Sequence, residues 1–477
     1  MIGTRVRGAL VGVAALALTG CSAAVVAPTT AAGQAADAPG EWSQRPVVDA
    51  SLDIAPDLAT ATGTETVTVT PDQPVCELVF RVWANRPSTV VGGTSSTVTG
   101  ASVDGNPVAP RVDAAGAPPG APGTLVTLPL AACARAGTPI RADLRFTLAI
   151  GRGDADERVG HATDTDTAWL GTPMPLLAWV RGEGWERDPA VRMGGESAVS
   201  EEFRLAALRV TAGTDQAVTG TGTETGTSSP APGRTTHTYT AESVRDVAVA
   251  AGDFALTEAT AGGTRVHVAV PRAGSIGSGQ EWADETTRQL AALERLLGPY
   301  PYPDLWVTVA SGQVSGIEFP THVQFGDVGR VTRPSLVAHE LSHQWFYSLV
   351  GNDQSRDPWL DESFATFAEA TVAGERDTYR LRAPGDPDVV GPIGAPMAFW
   401  DARGGFSAYS VGVYEQGAAA LLEGRDRVGP ERFDAALRAY IGANAHRVAH
   451  PSDVEAAFRD LPQVLDVLHE RGAFRTS

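Results

Sequence analysis

The sequence predicts an α+β chain, with a β-rich first half and a second half that mixes a sheet with helices. Three observations carry this. Residues 42–254 hold short alternating runs, of which Thr66-Val67-Thr68-Val69-Thr70 is the clearest. From Arg265 onward, strand-like runs alternate with stretches of helical periodicity. Gly/Pro/Ala segments such as residues 114–123 punctuate the first half as loops.

In chain order, Val67 and Val69 fall on one face of a strand, since strand side chains alternate sides. Residues 77–83, Glu-Leu-Val-Phe-Arg-Val-Trp, form a second strand. Residues 203–211 and 237–240 read as strands flanking a polar insert, 213–236. That insert is low in apolar content and is expected as a mobile hairpin tip. Residues 265–270 form a strand. Residues 281–297 form a helix whose Leu290, Leu293 and Leu297 make a core stripe. Residues 306–309 form another strand. Pro334 after Thr332 opens a helix expected to run from Leu336 to Val350 and stop at Gly351. A second helix starts at Asp357-Pro358 and ends near Gly374. Tyr414 begins or precedes a helix through Leu422. Residues 430–441 and 451–458 close the chain.

A length of 477 residues suggests two or three domains. Residues 1–20 read as a signal peptide, 21–41 as a flexible tether, 42–260 as a β-rich sandwich or saddle-like domain, and 261–477 as the second domain. Arg5 and Arg7 precede a short apolar run, and Leu18-Thr19-Gly20-Cys21 looks like a bacterial lipoprotein cleavage box. The expectation is export and lipid anchoring through Cys21 to the outer face of the cell membrane. An ordinary signal peptide with an incidental cysteine is the alternative. Outside the cytoplasm, Cys76 and Cys133 are expected to form a disulfide rather than two buried free thiols. A formal charge of −19 argues against a nucleic-acid partner.

His339-Glu340-Leu341-Ser342-His343 carries the chemistry. Positions i and i+4 share a helix face, so His339 and His343 can offer two imidazoles to one metal. Glu340 flanks that face and can act on water without ligating. Glu362 follows His343 after 18 residues and supplies a third ligand from the second helix. Zinc in a hydrolytic site takes three protein ligands and keeps one position open. Glu369 lies seven residues beyond Glu362, on the same face. It either accepts a hydrogen bond from a ligand histidine or is a solvated carboxylate. His322, His446, His450 and His469 have no ligand-like spacing.

These residues resemble the gluzincin zinc peptidases, and within them the aminopeptidase N and leukotriene hydrolase family. That family places its glutamate ligand in Trp-Leu-Asn-Glu-Gly-Phe-Ala; residues 359–365 read Trp-Leu-Asp-Glu-Ser-Phe-Ala. Tyr414-Glu415-Gln416-Gly417 is similar to the family's Tyr-Glu-Lys-Gly. Ser315-Gly316-Ile317-Glu318-Phe319 is similar to its Gly-Ala-Met-Glu-Asn. Tyr409 looks like a tyrosine found in some members. The resemblance implies a thermolysin-like second domain, one zinc ion per chain and a peptide substrate. It also implies Glu340 as catalytic base, Tyr414 as oxyanion donor, and Glu318 with Gly316 as the strand that grips a free amine. The family's large helical C-terminal domain is not expected, since 63 residues follow Tyr414. Aminopeptidase action is the leading expectation. Phe319 and Ser315 depart from the family pattern, so an endopeptidase or oligopeptidase stays open, as does an inactive envelope-binding lipoprotein.

Overall fold

Alternation of polar and apolar residues in the first half resolves into an eight-stranded sheet. Its strand order is Thr223–Ala231, Arg234–Val244, Phe203–Gly213, Val47–Ile54, Thr60–Val69, Ile140–Ala149, Ser95–Val103, Asn106–Val108. The computed structural model describes residues 42, 44–153, 156, 158–193, 200–383, 386 and 389–475. The expected signal peptide, Cys21 and the whole of the expected tether lie outside these residues. Val67 and Val69 are fully buried on the inner face, as their spacing requires. Two four-stranded sheets accompany the large one. Cys76 and Cys133 form a disulfide joining the paired strands Val75–Arg81 and Leu125–Ala134. The bond closes a loop of 57 residues, worth about 4 kcal/mol in the chain-entropy account.

The polar insert is largely strand, and its outer part is the expected hairpin, turning at residues 232–233. It contains the strands Ala217–Gly220 and Thr223–Ala231, and the latter pairs with Arg234–Val244 at the sheet edge. Threonine favours extended backbone whatever its polarity. A strand exposed on both faces carries no apolar alternation to betray it, and Thr223–Ala231 is such a strand.

The second half is built on a five-stranded mixed sheet, ordered Phe254–Ala261, Thr264–Pro271, Asp304–Ala310, His322–Gly326, Gly316–Phe319. The chain returns antiparallel to make Gly316–Phe319 an edge strand. The helix Gly279–Leu297 begins with a capping box between Ser278 and Glu281, and buries Leu290, Leu293 and Leu297. A continuous apolar core unites these elements with the helices that follow.

The first site helix, Arg333–Ser342, opens at Thr332 as expected but stops eight residues earlier than Val350. No breaker residue marks this end; tertiary bonds make it. Gln344 accepts from the Thr321 N–H and donates to the Phe319 carbonyl, tying the chain to the sheet. Tyr347 takes a φ of 107°, a conformation costly for a side chain, while its hydroxyl donates to buried Asp246. The second site helix, Trp359–Val372, starts within two residues of the expected point and ends just before Gly374. A π turn, Ser410–Glu415, feeds the helix Gln416–Val428. Such turns free a backbone carbonyl, and here the Ser363 hydroxyl donates to the Val413 carbonyl. Gly417 permits this approach: a Cβ there would lie 2.0 Å from the Ser363 hydroxyl.

Candidate active site

The two site helices bring His339, His343 and Glu362 together. The two imidazole Nε2 atoms are 3.3 Å apart. Glu362 Oε2 lies 3.3 Å from His339 Nε2 and 3.4 Å from His343 Nε2. Ligands about 2.0–2.1 Å from a tetrahedral metal are about 3.3–3.4 Å from one another, so the triangle has the size of one face of a zinc site. Glu362 Oε2 is buried and has no hydrogen bond of good geometry despite this proximity. An unpartnered buried carboxylate oxygen facing two imidazole nitrogens fits a shared cation.

The far side of each ring is anchored. His339 Nδ1 lies 3.2 Å from Glu369 Oε2, and His343 Nδ1 lies 3.1 Å from the Phe346 carbonyl. Both acceptors require Nδ1–H, which leaves Nε2 as the atom each ring can offer a cation. Tyr379 in turn donates to Glu369 Oε1 at 2.9 Å. Burial works against charge on both rings, yet the carboxylates prevail. Glu362 and Glu369 hold His339 up at about 10, and Glu362 holds His343 up at about 9. Burial likewise opposes ionisation of Glu362, and the two adjacent imidazoles outweigh it, holding the carboxyl down at about 2. The site therefore stabilises positive charge at its centre, as a divalent cation needs.

Glu340 is buried and faces the edge strand. A Cβ on Gly316 would lie 2.5 Å from its carboxyl carbon, so the absent side chain gives the base its space. Glu318 sits two residues on along the same strand, also buried. It shares the amide of Gln354 with Asp361, at 3.4 and 2.8 Å. Burial, then the Glu362 charge, push Asp361 up to about 7. Tyr414 stacks on His339 and its hydroxyl donates to Glu362 Oε1 at 2.5 Å. Tyr409 is buried and packs edge-on against Tyr414, outside the cavity lining.

All the remaining candidates line one cavity of about 590 Å3: Gly316, Glu318, His339, Glu340, His343, Glu362, Glu369 and Tyr414. Sequence reasoning missed Gln354, Glu375, Tyr379 and Phe406 nearby. Tyr379 and Glu375 lie beyond the end of the second site helix, where no periodicity relates them to Glu369. Gln416, the family's lysine position, pins that segment by bonding the Arg380 carbonyl and the Arg382 N–H.

The family resemblance is borne out. Residues 328–384 match the Peptidase family M1 domain. The chain is 30% identical over 151 residues to aminopeptidase N of Streptomyces lividans, covering 28% of this chain and 17% of that protein. It is 26% identical over 215 residues to leukotriene A-4 hydrolase of Xenopus laevis, covering 40% and 35%. The chain thus spans well under two thirds of the length of these curated relatives. An M1 zinc metallopeptidase from Deinococcus radiodurans shares the fold, with a TM-score of 0.63 at 20% identity, covering 91% of this chain and 95% of that one.

Proposed function

We propose that this chain, which carries a Peptidase family M1 domain, hydrolyses peptide bonds with one zinc ion held by His339, His343 and Glu362, and acts chiefly at free amino termini. The observation that carries this is the triangle of donors 3.3–3.4 Å apart, with Glu340 beside it. Zinc held there polarises a carbonyl and lowers the pKa of water from about 15.7 towards about 7. The chain supplies everything else. Glu340, packed against the bare backbone of Gly316, takes a proton from water and returns it to the leaving amine. Tyr414 turns its hydroxyl from Glu362 to the carbonyl oxygen as negative charge builds there. Glu318 pairs with the substrate's ammonium from the edge strand.

Endopeptidase or oligopeptidase action is the second reading, and Phe319 favours it. Its ring is buried against the Arg158 guanidinium, 5.2 Å away, and offers the cavity no polar group where the family has asparagine. Export and a lipid on Cys21 rest on residues 5–21 of the sequence. No helix among the described residues is long and apolar enough to cross a membrane.

Metal analysis and paired peptides test the reading. One zinc per chain, with cleavage of free but not N-acylated peptides, is expected. Cleavage of both would transfer the assignment to the endopeptidase, and cleavage of neither by zinc-loaded protein would remove the peptidase assignment.

A further inference from the structure

The cavity is acidic, and one of its acids has no task in the chemistry above. Among the described residues, five glutamates and no arginine line it. Glu362 belongs to the donor triangle, Glu369 orients His339, Glu340 is the base, and Glu318 is the amine anchor. Glu375 remains. Its Oε1 accepts one hydrogen bond from the neutral Ser335 hydroxyl at 3.3 Å, and among the described residues no arginine or histidine forms an ion pair with it. It is only partly buried, so a ligand can reach it.

Its place along the first site helix tells what it would meet. Ser335, His339 and His343 are spaced one turn apart on one face. Glu318 clusters with His343 at one end, and Glu375 touches Ser335 at the other. Ser335 and His343 are separated by about 12 Å along the helix axis. The donor triangle lies between. An extended peptide advances about 3.3–3.6 Å per residue. With its amine at Glu318 and its scissile carbonyl at the triangle, the peptide carries its next side chain towards Glu375.

Resting on the peptidase reading, we infer that Glu375 selects peptides with a cationic side chain, arginine or lysine, on the residue immediately after the cleaved bond. Leu336 and Tyr379 flank the same part of the cavity and supply apolar surface for the stem of such a side chain. The Glu375 carboxylate then pairs with its head, a charge-assisted contact that arginine can make with two parallel bonds.

The test compares kcat/KM for the tripeptides Ala-Arg-Ala and Ala-Gln-Ala on zinc-loaded protein. The wild type is expected to favour arginine about five- to tenfold, the worth of one partly screened charge-assisted contact. That ratio should shrink as ionic strength rises. In Glu375→Gln it should fall to about one, and in Glu375→Arg a preference for Ala-Glu-Ala should appear. Brisk cleavage of both peptides by the wild type with a ratio near one would overturn the inference and leave the peptidase reading intact. So would a ratio that Glu375→Gln does not change. Cleavage of neither peptide by the wild type would sink the peptidase reading, and this inference with it. The wild-type ratio and its salt dependence need no variant, so a misfolded substitution cannot shelter the idea.

Discussion

His343 and His322 are both buried to within 1% of full enclosure, yet their surroundings push them in opposite directions. His322 sits on a central strand of the mixed sheet. Its Nε2 meets the Thr308 hydroxyl at 2.9 Å, and its Nδ1 donates to the Ala248 carbonyl at 3.1 Å. Among the described residues no carboxylate pairs with it, so burial lowers it to about 4, against the opposing bond to the Ala248 carbonyl. His343, which caps the first site helix, meets Glu362, Glu340 and Asp361, which raise it to about 9 against the same burial. Burial alone therefore says little about a histidine's task. The difference lies in whether neutral groups satisfy the ring or anions leave it wanting a cation.

Four measurements press on this contrast, the largest expected effect first. Glu340→Gln should keep zinc and fold while turnover drops about a hundred- to ten-thousandfold. Activity close to wild type would strip Glu340 of its role. Tyr414→Phe should lower turnover about a hundred- to thousandfold with zinc content little changed; an unaltered rate would return the ring to packing. Glu369→Gln should weaken zinc affinity about ten- to a hundredfold in a chelator competition, since the His339 ring loses its anchor. Equal retention by variant and wild type would make Glu369 a bystander. His322→Leu should leave zinc affinity alone and cost roughly 1–3 kcal/mol of stability through loss of two buried hydrogen bonds, although Thr219 and Thr221 still partner the Thr308 hydroxyl and the Ala248 carbonyl.

The His322 variant also carries a pH signature. The ring's folded pKa, about 4, lies below its ordinary 6.5, so the unfolded chain binds its proton first as pH falls. Its stabilising contribution is full above pH 6.5 and is lost as pH drops towards 4. Denaturant midpoints of the wild type should show that slope, and those of His322→Leu should lack it. Parallel curves would mean the ring does not titrate as its surroundings require.

Much of the site could be read before any coordinates. The i, i+4 histidines and the delayed glutamate are a periodic pattern, and periodicity survives folding. What the sequence hid was made by contacts between distant segments. The first site helix has no stop signal at Ser342; Gln344 and Tyr347 end it by reaching the sheet and Asp246. Residues 223–231 lack apolar alternation, so their strand could not be told from a loop. Glu375 and Tyr379 lie just before Arg380 and Arg382, whose backbone is held by Gln416, 36 and 34 residues further on. The π turn beneath Tyr414 depends on Ser363, 50 residues earlier.

Residue 316 sets a tolerance. A methyl group there would lie 2.5 Å from the Glu340 carboxyl, whose flexible side chain would have to swing aside to admit it. A single hydrogen atom on an edge strand thus fixes where that carboxylate rests, though it performs no reaction of its own.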